Sequence, residues 1–494
     1  MPRHCVIVGS GIGGLAAAVQ LAHQGYTVTV LEKNEQPGGR AGVFSEEGFR
    51  FDMGPSWYLM PEVFEKFFTD LGEDITDYLT LEKLSPSYRV YFEKREKPVD
   101  IYSDAEKDAA TFESLEPGSA HQLRRYLRRA KRQYQIILDN FLYARFDKAS
   151  SLFTKGSLPA LRHVPLLGTM QKYVERYFHS PELQKLMQYT LVFLGSSPYN
   201  APAMYNIMSH MDFTQGVFYP RGGIHEIVGA LLKLADKYGV EIKCNQSVRE
   251  IEVVDGKATA VVTEDGTRYE ADVILSNADV HFTETKLLPP KARQFSAKHW
   301  EKRVLAPSAL LIYLGVEGEL PELLHHTLYF SDDWQKNFSE IFDEHIWPTT
   351  PSIYISNPTK TDPTVAPKGM QNVFILVPLG AHSSDTDAQR EAYCEKVFTI
   401  VEDKLKIPDF RSRIVYKKLF GPRDFASRYN SMGGTALGEA HTLLQTAFGR
   451  TSSRSKKVSN LYYVGSTTHP GIGMPVCLIS AHIATERVNQ EYPC

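Results

Sequence analysis

The segment Cys5–Glu32 constrains this chain more than any other. Cys5-Val6-Ile7-Val8 is short, apolar and β-branched, the pattern of a strand buried on both faces in a parallel sheet. Gly9-Ser10-Gly11-Ile12-Gly13-Gly14 follows at once, then Leu15–His23, an Ala- and Leu-rich stretch suited to a helix. Gly25 stops the helix, Tyr26–Leu31 reads as a second strand, and Glu32 closes it. Strand, glycine turn, helix, strand and acid in that order form the dinucleotide-binding fingerprint. Gly9 permits the tight turn, Gly11 keeps a side chain away from a pyrophosphate, and Gly14 lets the helix pack closely on the sheet, with Gly13 a further cofactor-binding candidate in the same turn. The helix N-terminus offers free N–H groups and the positive end of its dipole to the phosphates. Glu32 is placed to accept hydrogen bonds from the ribose hydroxyls, and its charge disfavours a 2′-phosphate.

Composition removes several classes. The mean hydropathy is −0.28 and no apolar run approaches the roughly 18 residues a spanning helix needs. Lys plus Arg is 55 against 58 for Asp plus Glu, a net charge of −3, which argues against a dedicated nucleic-acid binder. The five cysteines lie far apart and form no CxxC, so neither a disulfide framework nor a zinc site is expected. His325 and His326 are adjacent with no carboxylate or cysteine at ligand spacing, so no metal is expected there either. Met1-Pro2-Arg3-His4 runs straight into the first strand without a signal peptide, which places the expected location in the cytoplasm. Hydrolase and P-loop motifs are missing, and no linker-like stretch divides the 494 residues, so the domains are expected to interleave.

Four further motifs narrow the class. Pro37-Gly38-Gly39-Arg40 follows Glu32 too closely to begin another βα unit of the nicotinamide type. Phe49–Ser56 (FRFDMGPS) alternates and then turns, and Tyr219–Ile224 (YPRGGI) is a glycine turn before a helix. Near the C-terminus Asn460–Val464 reads as a strand, Gly465–Pro475 (GSTTHPGIGMP) as a glycine-rich turn, and Val476–Val488 as a helix with Pro475 at its start. That turn is a second anion-stabilising helix terminus.

Taken in order over nearly the whole chain, these motifs resemble the bacterial phytoene and diapophytoene desaturases, a carotenoid desaturase family within the flavin amine oxidase-like superfamily. The resemblance implies a Rossmann-type FAD-binding domain interleaved with a mixed-sheet substrate domain and a helical, membrane-associating lid. It implies an FAD domain from residues 1–80, 221–285 and 455–494, a substrate domain from 81–110 and 286–454, and a lid over 111–220. Gly39 and Arg40 would contact the FAD pyrophosphate, Val248 the adenine by its backbone, and Glu32 with Lys33 the ribose end. The loop Gly54-Pro55-Ser56 would lie near the flavin. Gly465, Gly473 and Met474 would bring the second helix terminus to the isoalloxazine. Ser466 stands where many flavoproteins have an aspartate, so the ribityl contact must be made otherwise.

For the lid, Arg124–Arg132 packs six cations into nine residues beside apolar positions at helical spacing, a charged face that could meet water or an anionic membrane. The apolar, proline-containing stretch Ser151–Met170 is the stronger candidate for a membrane entrance. The implied reaction removes hydrogen from a linear polyene: a hydride leaves an allylic carbon for the flavin, and a neighbouring carbon loses a proton. Conjugation spreads the cation, so a strong protein base is not required. His469 and Thr468 are the candidate catalytic residues, with His469 also suited to ordering its loop. The implied partners are a lipophilic polyene, a membrane surface and an electron acceptor such as quinone or oxygen. Polyene oxygenation or isomerisation is the alternative within the family. A prenyl-lipid-binding escort that uses no redox chemistry is the alternative outside it.

Overall fold

Parallel pairing of two apolar strands starts the fold. In the computed structural model, β1 (His4–Val8) pairs with β2 (Thr27–Leu31), Val6 opposite Thr29, and α1 (Ile12–His23) makes the crossover. The structure describes residues 2–145, 164–165, 168–446 and 449–494. Much later segments join the same sheet: α2 (Glu226–Lys237) leads to β3 (Glu241–Lys243), then come β4 (Val273–Ser276), β5 (Leu461–Tyr463) and α3 (Met474–Glu491). The order is β5-β4-β1-β2-β3, all parallel. Helix α1 is buried from Ile12 to Leu21 because α2 and α3 both pack on it, which explains its Ala-rich, all-round apolar sequence.

A second sheet holds seven strands, in the order 414–420, 308–317, 370–379, 353–356, 326–330, 88–92 and 99–101. Its neighbours are antiparallel except for the parallel pair His326–Phe330 and Tyr88–Phe92. The interleaved mixed-sheet architecture expected from the sequence is therefore present. An antiparallel three-stranded sheet, Val248–Val254, Lys257–Thr263 and Arg268–Glu270, lies beyond β3. Its first turn places Asp255 and Gly256 at φ of 50° and 74°, the conformation an Asp-Gly hairpin uses.

Two local expectations are corrected. The sequence reads Val240–Ile251 as one strand, but the chain leaves β3 after Lys243 and enters a different sheet at Val248. Asn245 turns it at a φ of 57°, and the amides of Asn245 and Gln246 donate to the carbonyls of Asn34 and Glu32. Gln184–Leu194 reads as one helix, but it divides into Pro181–Leu186, capped by Ser180, and a tighter turn, Tyr189–Leu194, ended by Gly195 at a φ of 61°.

In the helical region, Ser119–Ile137 buries Leu123, Tyr126, Ala130, Tyr134 and Ile137 and turns all six cations of 124–132 outward. Arg124 pairs with Glu106, and Arg129 donates to the Tyr177 hydroxyl. Most of the expected membrane entrance at 151–170 (residues 151–163, 166 and 167) lies outside the described residues. Among the described residues no helix is long and apolar enough to cross a membrane.

Candidate functional site

The carboxyl ends of β1 and β4 stop side by side, Val8 opposite Ser276, and the chain opens into a cavity of about 1000 Å³. This crevice beyond the strand ends is where open α/β sheets bind ligands. Gly11 forms an isolated bridge with Gly38, so the two glycine turns of the sequence meet there. A Cβ on Gly39 would stand 3.2 Å from the Gly11 Cα, and one on Gly14 would overlap the Gly9 carbonyl oxygen. No side chain caps α1 at Gly11 or α3 at Gly473. Two helix N-termini with free amides therefore serve one cavity.

Glu32 is fixed at one end. Its Oε2 accepts from the amide and hydroxyl of Ser10 at 2.9 and 2.6 Å, and its Oε1 from the amide and Nδ2 of Asn34 at 2.9 and 2.8 Å. Arg40 donates to Ser431 Oγ at 2.6 Å and lies against the Tyr429 ring, while its Nε is buried with no partner. Burial presses the Arg40 guanidinium below its ordinary range and the Asp279 carboxyl above its own, and each offsets the other's shift. A buried, unpaired guanidinium donor beside two open helix termini fits a pyrophosphate, and the residues present thus fit FAD.

Toward the other end the wall turns apolar and aromatic, with Leu311, Leu328, Phe330, Trp334, Phe338 and Phe342. Trp57 stacks on His326 with ring centres 4.5 Å apart. The Tyr354 hydroxyl lies 2.7 Å from both Ser56 Oγ and His326 Nδ1. Burial holds His325 down at about 3 and His326 well below the imidazole range, so both rings are neutral. Tyr189, also on the wall, shares with Tyr88 the buried Asp212 carboxylate, each hydroxyl 2.9 Å from Oδ2. Burial raises Asp212 to about 7.

Of the residues singled out from sequence, Gly9, Gly11, Gly13, Glu32, Lys33, Gly39, Arg40, Gly54, Pro55, Ser56, Val248, His469, Gly473 and Met474 all line this cavity. Lys33 turns its ammonium to the Ser427 carbonyl and Asn430 Oδ1, at 2.7 and 3.1 Å. His469 Nε2 lies 3.0 Å from the Ala144 carbonyl, which ties its loop to the helical region. Gly14 and Gly465 sit behind the wall, where Gly14 lets α1 approach the Gly9 carbonyl and Gly465 leaves room for the Asn277 side chain. Thr468, expected beside His469 as catalytic, does not reach the wall. It is buried, and its hydroxyl donates to the Thr451 carbonyl at 2.8 Å, so it holds the turn.

Sequence reasoning missed Asn277, whose side chain lies among Gly9, Gly11, Gly13 and Gly465. Its signal was its place one residue beyond β4, the strand beside β1. Tyr189 and Tyr354 carried no local signal. Among the described residues no group of His, Cys, Asp and Glu could hold a metal ion.

The comparisons agree with this geometry. The model of the flavin containing amine oxidoreductases matches residues 12–489. The chain belongs to that family. It is 45% identical over 489 residues to a carotenoid 3,4-desaturase of Haloarcula japonica, covering 98% of both chains. It is 36% identical to a zeta-carotene-forming phytoene desaturase of Myxococcus xanthus, over 98% of this chain and 94% of that one. Among solved structures, an oxidoreductase from Methanosarcina mazei shares the fold with a TM-score of 0.64 at 17% identity, covering 98% of this chain and 100% of that one.

Proposed function

We propose that this protein is an FAD-dependent carotenoid desaturase that dehydrogenates a linear polyene. The observation that carries the reading is one cavity whose wall holds both two uncapped helix termini with Arg40 and a large apolar, aromatic surface. Its relatives named as carotenoid desaturases over their full length support the same reading. Residues 1–80, 221–285 and 455–494 form the cofactor unit, 81–110 and 286–454 the substrate unit, and 111–220 the lid.

FAD bound here supplies the hydride-accepting chemistry. Gly11, Gly39 and the amides opening α1 would receive the pyrophosphate, Arg40 Nε would donate to it, Glu32 would accept from the ribose, and Val248 would meet the adenine. The amides at Gly473 and Met474 place positive potential where negative charge develops. The aromatic wall holds the polyene extended and keeps water out, so that one allylic unit is presented at a time. His469 orders the glycine-rich turn at the cavity wall.

The substrate enters from a membrane surface. Leu443 and Leu444 line the cavity, yet they are 58% and 84% exposed, an apolar rim of the kind that meets lipid. A quinone or oxygen then accepts the electrons.

The test is incubation of FAD-loaded protein with linear polyenes in liposomes, with products read by chromatography and mass. A desaturase yields products two hydrogens lighter per step. Unchanged mass would mark an isomerase and added oxygen an oxygenase. A protein that carries polyene yet takes up no FAD would be an escort.

A further inference from the structure

Arg450 lies directly behind the cavity wall and is only 4% exposed. Its guanidinium donates to four main-chain carbonyls. Nε reaches Thr468 and Nη1 reaches Gln445, both at 3.3 Å, while Nη2 reaches Glu439 and Ser466 at 3.0 and 3.1 Å. Among the described residues it makes no ion pair. The neighbouring carboxylate, Glu439, is paired instead with Arg303, itself nearly buried. Glu439 also offsets part of the Arg450 charge, but one carboxylate shared between two arginines leaves the group of three with a net positive charge.

Among the described residues, the other groups around it supply no anion. His441, Tyr205 and Cys477 form the wall between Arg450 and the cavity. Burial, helped by the Arg450 charge, holds His441 at about 3, so it is neutral. Burial also pushes Tyr205 and the Cys477 thiol up to about 12, so both stay protonated. Arginine cannot shed its proton to escape burial. A charge in such a place is costly, and carbonyl dipoles with one shared carboxylate offset that cost only in part. The four carbonyls also have a pattern: two belong to the turn between β5 and α3, the turn that opens on the cavity.

We propose that Arg450 is the fixed counter-charge for the anion created in the cavity when a hydride is accepted there. It acts through the Ser466–Thr468 turn as a positioning residue that also sets the cofactor's potential. The inference rests on the reading that FAD occupies the cavity. The hydride carries two electrons and one proton from the substrate carbon, which is oxidised. The neighbouring carbon releases a proton as the double bond forms. The acceptor gains one negative charge, and Arg450 is the buried cation placed to stabilise it.

The test needs no polyene: it is the midpoint potential of bound FAD, read spectrophotometrically in the wild type, Arg450→Met, Arg450→Lys and Glu439→Gln. Arg450→Met should weaken binding of reduced relative to oxidised FAD about tenfold, which lowers a two-electron potential by about 30 mV. Arg450→Lys keeps the charge without the fork and should hold most of the wild-type potential. Glu439→Gln leaves Arg303 uncompensated and should shift the potential upward. If Arg450→Met fails to retain FAD, the other two variants carry the test, Arg450→Lys expected near the wild-type potential and Glu439→Gln above it. Wild-type potentials in both charge-changing variants would overturn the proposal. So would equal shifts in Arg450→Met and Arg450→Lys, which would make the residue a staple for the turn. A wild type that takes up no FAD would overturn the cofactor reading itself, a result distinct from these.

Discussion

Gly14→Ala sets two effects of opposite sign against each other. Gly14 is in the first turn of α1, and its φ is not in the left-handed region, so its backbone accepts an alanine. Helix propensity alone favours the substitution by up to about 1 kcal/mol. The space does not allow it: the new Cβ would overlap the Gly9 carbonyl oxygen and stand 3.1 Å from the Asn277 Cβ. Both obstacles are held, Gly9 by its amide bonding to Leu31 and Asn277 by its amide bonding to Val8. Overpacking against fixed neighbours costs about 1–3 kcal/mol. The clash therefore outweighs propensity by up to about 2 kcal/mol, or α1 shifts and carries Gly11 and Gly13 away from the phosphate position. Gly229→Ala is the internal control. It lies within α2, where the nearest atom to a new Cβ is Glu226 Oε2 at 3.8 Å, and it should stabilise by about 0.5–1 kcal/mol. Denaturant unfolding of both variants, with FAD retention followed by visible absorbance after gel filtration, checks the pair. A Gly14→Ala protein as stable as wild type with normal FAD retention would refute the close-packing argument.

Three other variants probe separate parts of the account. Glu32→Ala should weaken FAD retention and leave the Ser10 amide buried without its acceptor, at about 1–3 kcal/mol; unchanged FAD affinity would contradict the ribose assignment. Asp212 titrates at about 7 in the folded chain against an ordinary value near 4, so the stability linked to its proton is complete below about pH 4 and lost as pH rises through 7. Wild-type melting temperature should accordingly fall between about pH 4 and 7 and level off above that, and Asp212→Asn should flatten the fall; identical slopes would reject the assignment. Replacing Leu443 and Leu444 together by Ser should reduce flotation with liposomes, and undiminished flotation would remove these residues from the entrance.

What the sequence disclosed depended on how local the signal was. β1, α1, β2 and Glu32 were legible because glycines at fixed offsets and buried apolar runs are properties of one short segment. The second helix terminus at Gly473 was legible for the same reason. The break between β3 and Val248 was not, because tertiary hydrogen bonds to Glu32 and Asn34 impose it on a strand-like stretch. Trp57, Tyr189, Tyr354 and His326 come together from distant segments, and no spacing in the chain announces that meeting. Arg450 resembled any surface arginine, and its burial on four main-chain carbonyls sets it apart. Thr468 misled because its neighbour His469 does reach the cavity, while its own hydroxyl turns away to Thr451.

The most direct test of the central claim is an oxygen-free single turnover. FAD-loaded protein is mixed with a linear polyene in liposomes while the flavin and polyene absorption bands are followed together. The account predicts that the oxidised flavin band bleaches as polyene absorption moves to longer wavelength, one flavin reduced for each double bond formed. Conversion of the polyene with the flavin band unchanged, or an unchanged flavin band with every linear polyene offered, would contradict it.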